Sequence, residues 1–152
     1  MKLLLLSFYY KPDLCAGSFR CTALVEILKN IPGIEIDLVT TLPNRYASFS
    51  ADAPEYEGHG NLRVHRVALP AHNSGVIDQA KAFRTYYCEV LKITKGHHYD
   101  GVFATSSRLF TAFLGARISR KIEAPLYLDI RDIFVDTIND LMPAKITWLA
   151  KP

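Results

Sequence analysis

The chain has 152 residues, of which 49% are hydrophobic and 22% are charged. A chain of this length buries roughly 70% of its unfolded surface when it folds as one unit, so we expect a single domain over residues 1–152. The 8 Gly, the 8 Pro and the lack of low-complexity stretches exclude a disordered or collagen-like chain. The net charge of +3 is too small to indicate a nucleic-acid partner.

The N-terminal apolar run (residues 3–6) and the three cysteines indicate in which cellular compartment the protein resides. The run is short and is followed by YYKP rather than by a small-residue cleavage site, so it predicts a strand and not a signal peptide. Cys15, Cys21 and Cys88 form neither an even disulfide set nor a C-x-x-C pair, which favours a reduced, cytoplasmic setting. Because no apolar run approaches the ~20 residues of a membrane span, any membrane contact is predicted to be peripheral, at the inner face of the cell membrane.

The first half of the chain predicts two strands around one helix. Residues 3–8 are apolar on both faces, as in a central parallel strand. Ser18 is the predicted N-cap of a helix that ends at Pro32-Gly33. Its apolar face is predicted to comprise Ala23, Leu24, Ile27, Leu28 and Ile31. A second strand is predicted over 34–41, and the irregular segment 42–61 is longer than an ordinary connection, which favours a functional or mobile loop.

The second half predicts three strands and two further helices. Residues 62–67 alternate as in a strand that is solvated on one side or lies at a sheet edge. A helix is predicted over 76–95, with an outer face carrying Lys81, Arg84, Lys92 and Lys95. That face is either simply solvated or contacts anionic lipid headgroups, with Tyr86 nearby. Strands over 101–105 and 125–130 flank a helix over 109–122, and a helix or turn is predicted from 132 onward. The inward residues of the 109–122 helix are predicted to be Phe110, Phe113, Leu114 and Ile118.

This alternation of strands and helices predicts an α/β fold: a Rossmann-like, doubly wound, mostly parallel sheet with helices on both faces. In such sheets ligands bind beyond the carboxyl ends of the strands. The loops that matter most are therefore expected at 9–18, 105–108 and 129–136.

The first of these loops lacks both G-x-G-x-x-G and the P-loop motif, which argues against NAD and ATP as ligands. No cofactor is therefore predicted. Ala16, Gly17 and Ser18 nevertheless bring small residues to a helix N-terminus, where backbone N–H groups favour a phosphate. A plainly capped helix start explains the same residues equally well.

The other two loops carry polar residues at the same predicted edge. Thr105, Ser106 and Ser107 could bind a sugar or phosphate through their hydroxyls, although helix capping alone would explain them. The segment 129–132 (DIRD) places three charged groups where a buried strand leaves the sheet. Burying these charges costs energy unless they are paired or bind a ligand. Asp129, Arg131 and Asp132 are therefore the strongest functional candidates, with a clamp between Arg131 and a carboxylate as the alternative.

The acids Asp129, Asp132, Asp136 and Asp140 recur at helical spacing, which could suggest a Mg²⁺ site. Acids near a helix start more often complement the helix dipole, so no metal site is predicted.

Four segments of the chain form a recognisable series: 9–13 (YYKPD), 16–20 (AGSFR), 99–107 (YDGVFATSS) and 128–132 (LDIRD). In their order and spacing the chain resembles the N-terminal half of retaining glycosyltransferases of the GT-B type, family four, most closely the branch that builds bacterial O-antigen and capsule sugars. The chain departs from the family pattern with Cys15-Ala16 for Gly-Gly, Arg108 for Pro and IFVD at 133–136 for Leu-Trp-Pro-Glu.

The resemblance implies that this domain binds the acceptor, often a polyprenyl-diphosphate-linked sugar. A second Rossmann-like domain would bind the nucleotide-sugar donor. We expect that donor-binding domain to be absent from this chain and the chain alone to be inactive. The resemblance also implies that Gly17 and Ser18 approach the donor phosphates, that Arg131 stabilises charge or clamps its loop, and that Asp132 contacts the acceptor. An exposed apolar surface and self-association of the chain are further expectations.

Two other classes of protein remain as alternatives. One is a non-catalytic Rossmann-like or flavodoxin-like binding or regulatory module. The other is a nucleotide-dependent enzyme such as a sugar-nucleotide dehydrogenase, against which the missing glycine motif and the Thr40-Thr41 end of the second strand count.

Overall fold

A computed structural model describes residues 1–43, 52–70, 76–106 and 109–131, with only the backbone of residues 76, 77 and 109. Within these ranges the elements are, in chain order, β1 (Lys2–Leu6), α1 (Ala16–Leu28), β2 (Glu35–Thr41), β3 (Tyr56–His59), β4 (Leu62–Val67), α2 (Val76–Ile93), β5 (Gly101–Thr105), α3 (Leu109–Ile122) and β6 (Leu126–Asp129). The helix or turn predicted from residue 132 onward lies outside the described residues.

The strands form one sheet in the order β3-β4-β2-β1-β5-β6. Neighbouring strands are parallel except for the antiparallel β3–β4 pair. Counted along the chain, the parallel strands stand in the order 3-2-1-4-5, which is the Rossmann order and differs from the flavodoxin order. The predicted fold class is confirmed, and the order reverses between β1 and β5, where such sheets bind their ligands.

The two faces of the sheet carry separate cores because side chains alternate along each strand. Helix α1 covers one face, where Cys21 and Val25 pack on a core that includes Leu5 and Leu38. Helices α2 and α3 cover the other face. Their core residues Tyr86, Val90, Leu114 and Ile118 pack with Leu4, Leu6, Val39, Val102 and Ala104 of the strands.

The edge of the sheet differs from the prediction. Strand β4 was expected to be solvated on one side or to lie at the sheet edge. Its residues do alternate, with Arg63 and His65 only partly buried, but β3 pairs along its outer side, so β4 is not the edge strand. Strand β3 lies in the segment predicted to be irregular. A two-residue turn joins the two strands, since His59 pairs with Leu62, and Gly60 in this turn has a φ of +60°. Glycine adopts that left-handed conformation at no steric cost, which lets a tight hairpin form here.

Helix α1 buries the predicted face only in part: Leu24 and Leu28 pack against the core but are only partly buried. Cys15 is the N-cap, not Ser18, and its side chain makes no capping hydrogen bond. Ser18 is buried with Cys21 and Val25, whereas the predicted core residue Ile27 is 65% exposed. Apolar residues lie on all sides of α1, so their periodicity does not select a face, and packing against the sheet decides it.

The other two helices follow the prediction only in part. In α2, Tyr86 is buried together with Val90, and its hydroxyl donates a 2.8 Å hydrogen bond to the Val39 carbonyl, so it does not lie near the outer face. In α3, Leu114 and Ile118 are buried as predicted, but Phe110 and Phe113 are not. A Cβ on Gly115 would stand 2.5 Å from the Ala104 Cβ, so α3 lies very close to β5 along this face. That close approach requires a small residue at the contact, and the two phenylalanines are turned outward.

Candidate functional site

Buried polar side chains collect at the carboxyl edge of the sheet. Ser7, Thr41, Thr105 and Ser106 all follow or end a parallel strand, and all are buried. Burying hydroxyl groups is costly unless they form hydrogen bonds. This concentration of polar groups therefore sets the carboxyl edge apart from the apolar core beneath it.

Two hydrogen bonds join the ends of β5 and β6, and a third lies within the end of β6. The Ser106 N–H donates to the Asp129 carbonyl over 2.9 Å, and the Arg131 N–H donates to Ser106 Oγ over 2.8 Å. Arg131 Nε donates to Asp129 Oδ2 over 2.8 Å. The clamp between Arg131 and a carboxylate is thus formed. The Arg131 side chain is only 12% exposed, and within the described ranges its two Nη groups make no hydrogen bond.

An open groove of about 830 Å³ begins at this junction. At its carboxyl-edge end lie Arg20, Thr105, Asp129 and Arg131. Its apolar part lies between α1 and the sheet face formed by β1, β5 and β6, and is lined mainly by Leu3, Leu5, Leu24, Leu28, Phe103 and Tyr127. The groove therefore combines a charged end with an apolar floor.

Two aromatic rings form part of that floor. The rings of Phe103 and Tyr127 are stacked, with centroids 5.3 Å apart and planes 13° apart. Tyr127 is 67% exposed, so one face of this pair is open to the groove. The exposed apolar surface expected from the sequence is present here.

The start of α1 lies outside the groove lining. Ala16 is exposed, Gly17 is half-buried and Ser18 is buried, and none of them lines the groove. Arg20 and Cys21, from the next turn of the helix, line it instead. Arg20 was not singled out as a site residue from the sequence. Its position, one helical turn after the Ala-Gly-Ser segment, was the signal that could have indicated it.

Cys21 is not a nucleophile in this arrangement. Burial raises the pKa of its thiol to about 11, against smaller lowering effects from the Ser7 hydrogen bond and the Arg131 charge. The reactive form of cysteine is the thiolate, which is scarce at neutral pH for such a group. Cys21 therefore contributes a small apolar surface to the groove rather than a reacting group.

The predicted site residues divide into three groups. Thr105, Asp129 and Arg131 line the groove. Ser106 accepts a hydrogen bond from the Arg131 backbone N–H. Ala16, Gly17 and Ser18 lie apart from the groove lining. Ser107 and Asp132 lie outside the described residues. The functional roles of all these residues stay predictions.

Arg66 supports the loop after β1 and was missed as a candidate. Its side chain is only 3% exposed. It donates hydrogen bonds to the Pro54 carbonyl over 3.1 Å, the Lys11 carbonyl over 3.2 Å and Glu57 Oε1 over 2.7 Å. The alternating pattern of β4 suggested a solvated side chain at this position. The outer strand β3, which carries Glu57, is what buries it.

Metal ligands do not cluster in the part of the chain that the structure describes: no group of three or more His, Cys, Asp or Glu residues there could hold an ion. Asp132, Asp136 and Asp140 of the acidic series lie outside it.

Together these features define a doubly wound α/β domain of Rossmann order with a polar groove end at its carboxyl edge. No family model and no curated protein matches the chain. Among solved structures it is similar to the C-terminal domain of a hydrogenase from Pyrococcus furiosus, with a TM-score of 0.53 and 13% identity over 84% of this chain and 89% of that one. It is also similar to a UGT transferase from Siraitia grosvenorii in complex with UDP, with a TM-score of 0.45 and 12% identity. That match covers 92% of this chain and 27% of the transferase chain. At these identities the similarity concerns the fold alone.

Proposed function

We propose that this chain is the acceptor-binding domain of a glycosyltransferase that moves a sugar from a nucleotide-sugar to a saccharide or lipid-linked saccharide acceptor with retention. The proposed setting is bacterial surface polysaccharide synthesis at the cytoplasmic side of the membrane. The donor would bind mainly to a second domain that is not part of these 152 residues. The proposal rests on the sequence motifs at the carboxyl edge and on the groove that begins there.

The groove is the observation that carries this proposal. A polyprenyl-diphosphate-linked sugar has a doubly charged diphosphate between an apolar chain and a polar sugar. In the groove, the Arg131 guanidinium at the charged end would face the diphosphate, and the adjoining apolar floor would contact the apolar chain. Apolar pockets with a few well-placed polar groups are the usual form of small-molecule sites.

Arg131 is the proposed phosphate contact. Its Nε is held by Asp129 and its backbone by Ser106, so its orientation is fixed before any ligand binds. The Nη groups remain available, and guanidinium groups bind phosphate oxygens through paired hydrogen bonds. Since arginine stays protonated, Arg131 would stabilise charge and not act as a base. Asp132 is the proposed contact to the acceptor hydroxyl.

In the intact enzyme, catalysis of this kind depends on positioning and on electrostatic stabilisation of the departing nucleotide diphosphate. Gly17 and Ser18 would face the donor phosphates from the start of α1.

Calorimetric titration of the 152-residue chain tests the proposal. The probes are a short-chain prenyl diphosphate-linked N-acetylglucosamine, which is water-soluble, and UDP. We expect the prenyl diphosphate sugar to bind and UDP to bind at least about tenfold more weakly. Arg131→Gln should weaken binding of the prenyl diphosphate sugar by about tenfold or more, because a charge-assisted contact is lost.

Arg117→Gln is the matched control, because Arg117 is an exposed arginine on α3, on the other side of the sheet from the groove. Equal effects of the two substitutions, or no binding of the prenyl diphosphate sugar, would overturn the proposal. Tighter binding of a free nucleotide or a flavin would instead favour a non-catalytic binding module.

A further inference from the structure

The outer faces of α2 and α3 carry a surface that the proposed function does not use. Phe110 and Phe113 of α3 are 58% and 57% exposed, although their sequence pattern predicted a place in the core. Two large aromatic side chains held in water on neighbouring turns are unfavourable unless something covers them.

Positive charge surrounds these two rings. Arg117, Arg120 and Lys121 are exposed, and α3 contains no acidic residue. At 3.6 residues per turn, these three residues fall on the same side of the helix as Phe110 and Phe113. The outer face of α3 is therefore aromatic in its first half and cationic in its second half.

Helix α2 extends this face. The centroids of the Phe83 and Phe110 rings lie 4.7 Å apart, and the Arg117 guanidinium carbon lies 5.9 Å from the centroid of the Tyr87 ring. The two helices therefore lie side by side. Four further cationic side chains of α2 and the turn after it are exposed: Lys81, Arg84, Lys92 and Lys95.

Few acids offset these charges. Glu89 pairs with Lys92 over 2.6 Å, and Asp78 lies 3.9 Å from Lys81. Arg84, Lys95, Arg120 and Lys121 form no ion pair with any residue in the described ranges. We call the exposed set the aromatic-basic surface. It consists of Phe110, Phe113, Arg117, Arg120 and Lys121 of α3 together with Lys81, Arg84, Lys92 and Lys95.

We propose that the aromatic-basic surface docks on an anionic lipid bilayer. Exposed aromatic rings insert at the boundary between headgroups and acyl chains, and Lys and Arg side chains are attracted to anionic headgroups. A second copy of the chain is a poor occupant, because it would place seven cations against the same seven cations. The docking would be peripheral: among the described residues, no helix is long and apolar enough to cross a membrane.

The position of the surface in the fold agrees with the groove. Helix α3 begins just after the carboxyl end of β5, so its first turns lie near the edge at which the groove has its charged end. A chain docked through Phe110 and Phe113 would hold that edge close to the headgroup layer. The docking itself does not depend on the proposed function, since it uses a different face of the sheet.

Vesicle co-sedimentation of the 152-residue chain tests the docking. We expect the chain to bind vesicles of phosphatidylcholine mixed with phosphatidylglycerol and to bind pure phosphatidylcholine vesicles much more weakly. Added salt should weaken the binding, since it screens the attraction. The double substitution Phe113→Ser/Arg120→Gln should lower the partition coefficient at least about tenfold, because one cation alone accounts for about fivefold.

The double substitution Phe19→Ser/Lys29→Gln is the matched control. It also removes one phenylalanine and one cation, but Phe19, which is 59% exposed, and Lys29, whose side chain is 36% exposed, lie on α1 and at its C-cap, at the opposite face of the sheet. This control should change vesicle binding by less than about twofold. The proposal is overturned if the chain does not bind the anionic vesicles, or if the two double variants bind them equally.

Two further measurements separate the possible causes of failure. Sedimentation velocity of the unaltered chain and both variants shows whether Phe113→Ser/Arg120→Gln dissociates a dimer. If it does, the surface is an interface between two copies of the chain, and lipid docking is overturned. Arg131→Gln should leave vesicle binding unchanged, and Phe113→Ser/Arg120→Gln should leave binding of the short-chain prenyl diphosphate sugar unchanged. Failure of the docking and failure of the proposed acceptor site are thereby distinguishable.

Discussion

Ser106 Oγ accepts a 2.8 Å hydrogen bond from the backbone N–H of Arg131, 25 residues further along the chain. This bond connects the ends of two neighbouring parallel strands, since the Ser106 N–H in turn donates to the Asp129 carbonyl. The position of Arg131 in the groove therefore depends on a hydroxyl that helix capping alone would have explained from the sequence.

Substitution Ser106→Ala removes the acceptor for the Arg131 N–H. A partly buried N–H left without a partner costs about 1–3 kcal/mol locally, so the Arg131 amide should exchange with solvent faster than in the unaltered chain. Amide hydrogen exchange followed by NMR measures this. The Ser106 amide, which donates to Asp129, is the internal control and should keep its protection. Unchanged exchange at Arg131 would mean that the side-chain bond does not hold this segment.

Substitution Arg66→Met tests the buried arginine beneath the loop after β1. The side chain donates to two carbonyls and to Glu57, and all three acceptors lose their partner. We expect the free energy of unfolding to fall by about 3 kcal/mol, the scale found when one member of a buried ion pair is removed. Urea denaturation measures it.

The exposed Arg84 provides the control for Arg66, since Arg84→Met should change the free energy of unfolding by less than about 0.5 kcal/mol. The double variant Arg66→Met/Glu57→Gln should recover part of the loss, because it removes the carboxylate left unpaired. A loss no larger than that of Arg84→Met would show that Arg66 is not a structural support.

Asp37 links stability to pH. Burial opposes its charge, but one hydrogen bond from Arg63 Nε over 2.5 Å and the ion pair with Lys2 over 3.0 Å hold its pKa below the ordinary value. A carboxyl whose pKa is lower in the folded than in the unfolded state stabilises the fold above the unfolded pKa of about 3.9. That contribution is lost as the pH falls through the folded-state pKa.

Substitution Asp37→Asn should therefore lower the free energy of unfolding by about 2 kcal/mol at neutral pH, the scale of a hydrogen bond to a charged group. The difference from the unaltered chain should shrink below about pH 4. Urea denaturation over a pH series measures it, with Asp78→Asn, at a more exposed position, as the control. A difference that stays constant through the acid range would contradict the assignment.

Two neighbouring apolar residues of α3 differ in how far they are exposed, so their substitution should cost different amounts of stability. Leu114 is fully buried and Phe113 is largely exposed, although both are apolar. We expect Leu114→Ala to cost about 2–5 kcal/mol of the free energy of unfolding and Phe113→Ser less than about 0.5 kcal/mol. Thermal or urea denaturation compares them. Equal costs would place Phe113 in the core after all and remove the aromatic-basic surface.

The sequence by itself determined the fold class and the position of most elements. Short apolar runs bounded by turn residues are typical of central parallel strands, and helical periodicity between them is typical of crossover helices, so the pattern predicted the Rossmann-like architecture. Helix α3 begins and ends at the predicted residues. The edge at which Thr105, Asp129 and Arg131 meet was also predictable, because the carboxyl ends of parallel strands share one side of the sheet.

Only the tertiary structure decided which faces of the helices are buried and which polar groups touch. Periodicity fixes the angular spacing of residues on a helix but not its rotation about its axis, which depends on contacts such as that of Gly115 with Ala104. This rotation exposed Phe110 and Phe113 and buried Ser18 and Tyr86. Likewise, the bond from Arg131 to Ser106 joins two strands that are distant in sequence, and Arg66 bonds the Lys11 carbonyl, 55 residues away. Both contacts follow from packing across the sheet, which no local pattern records.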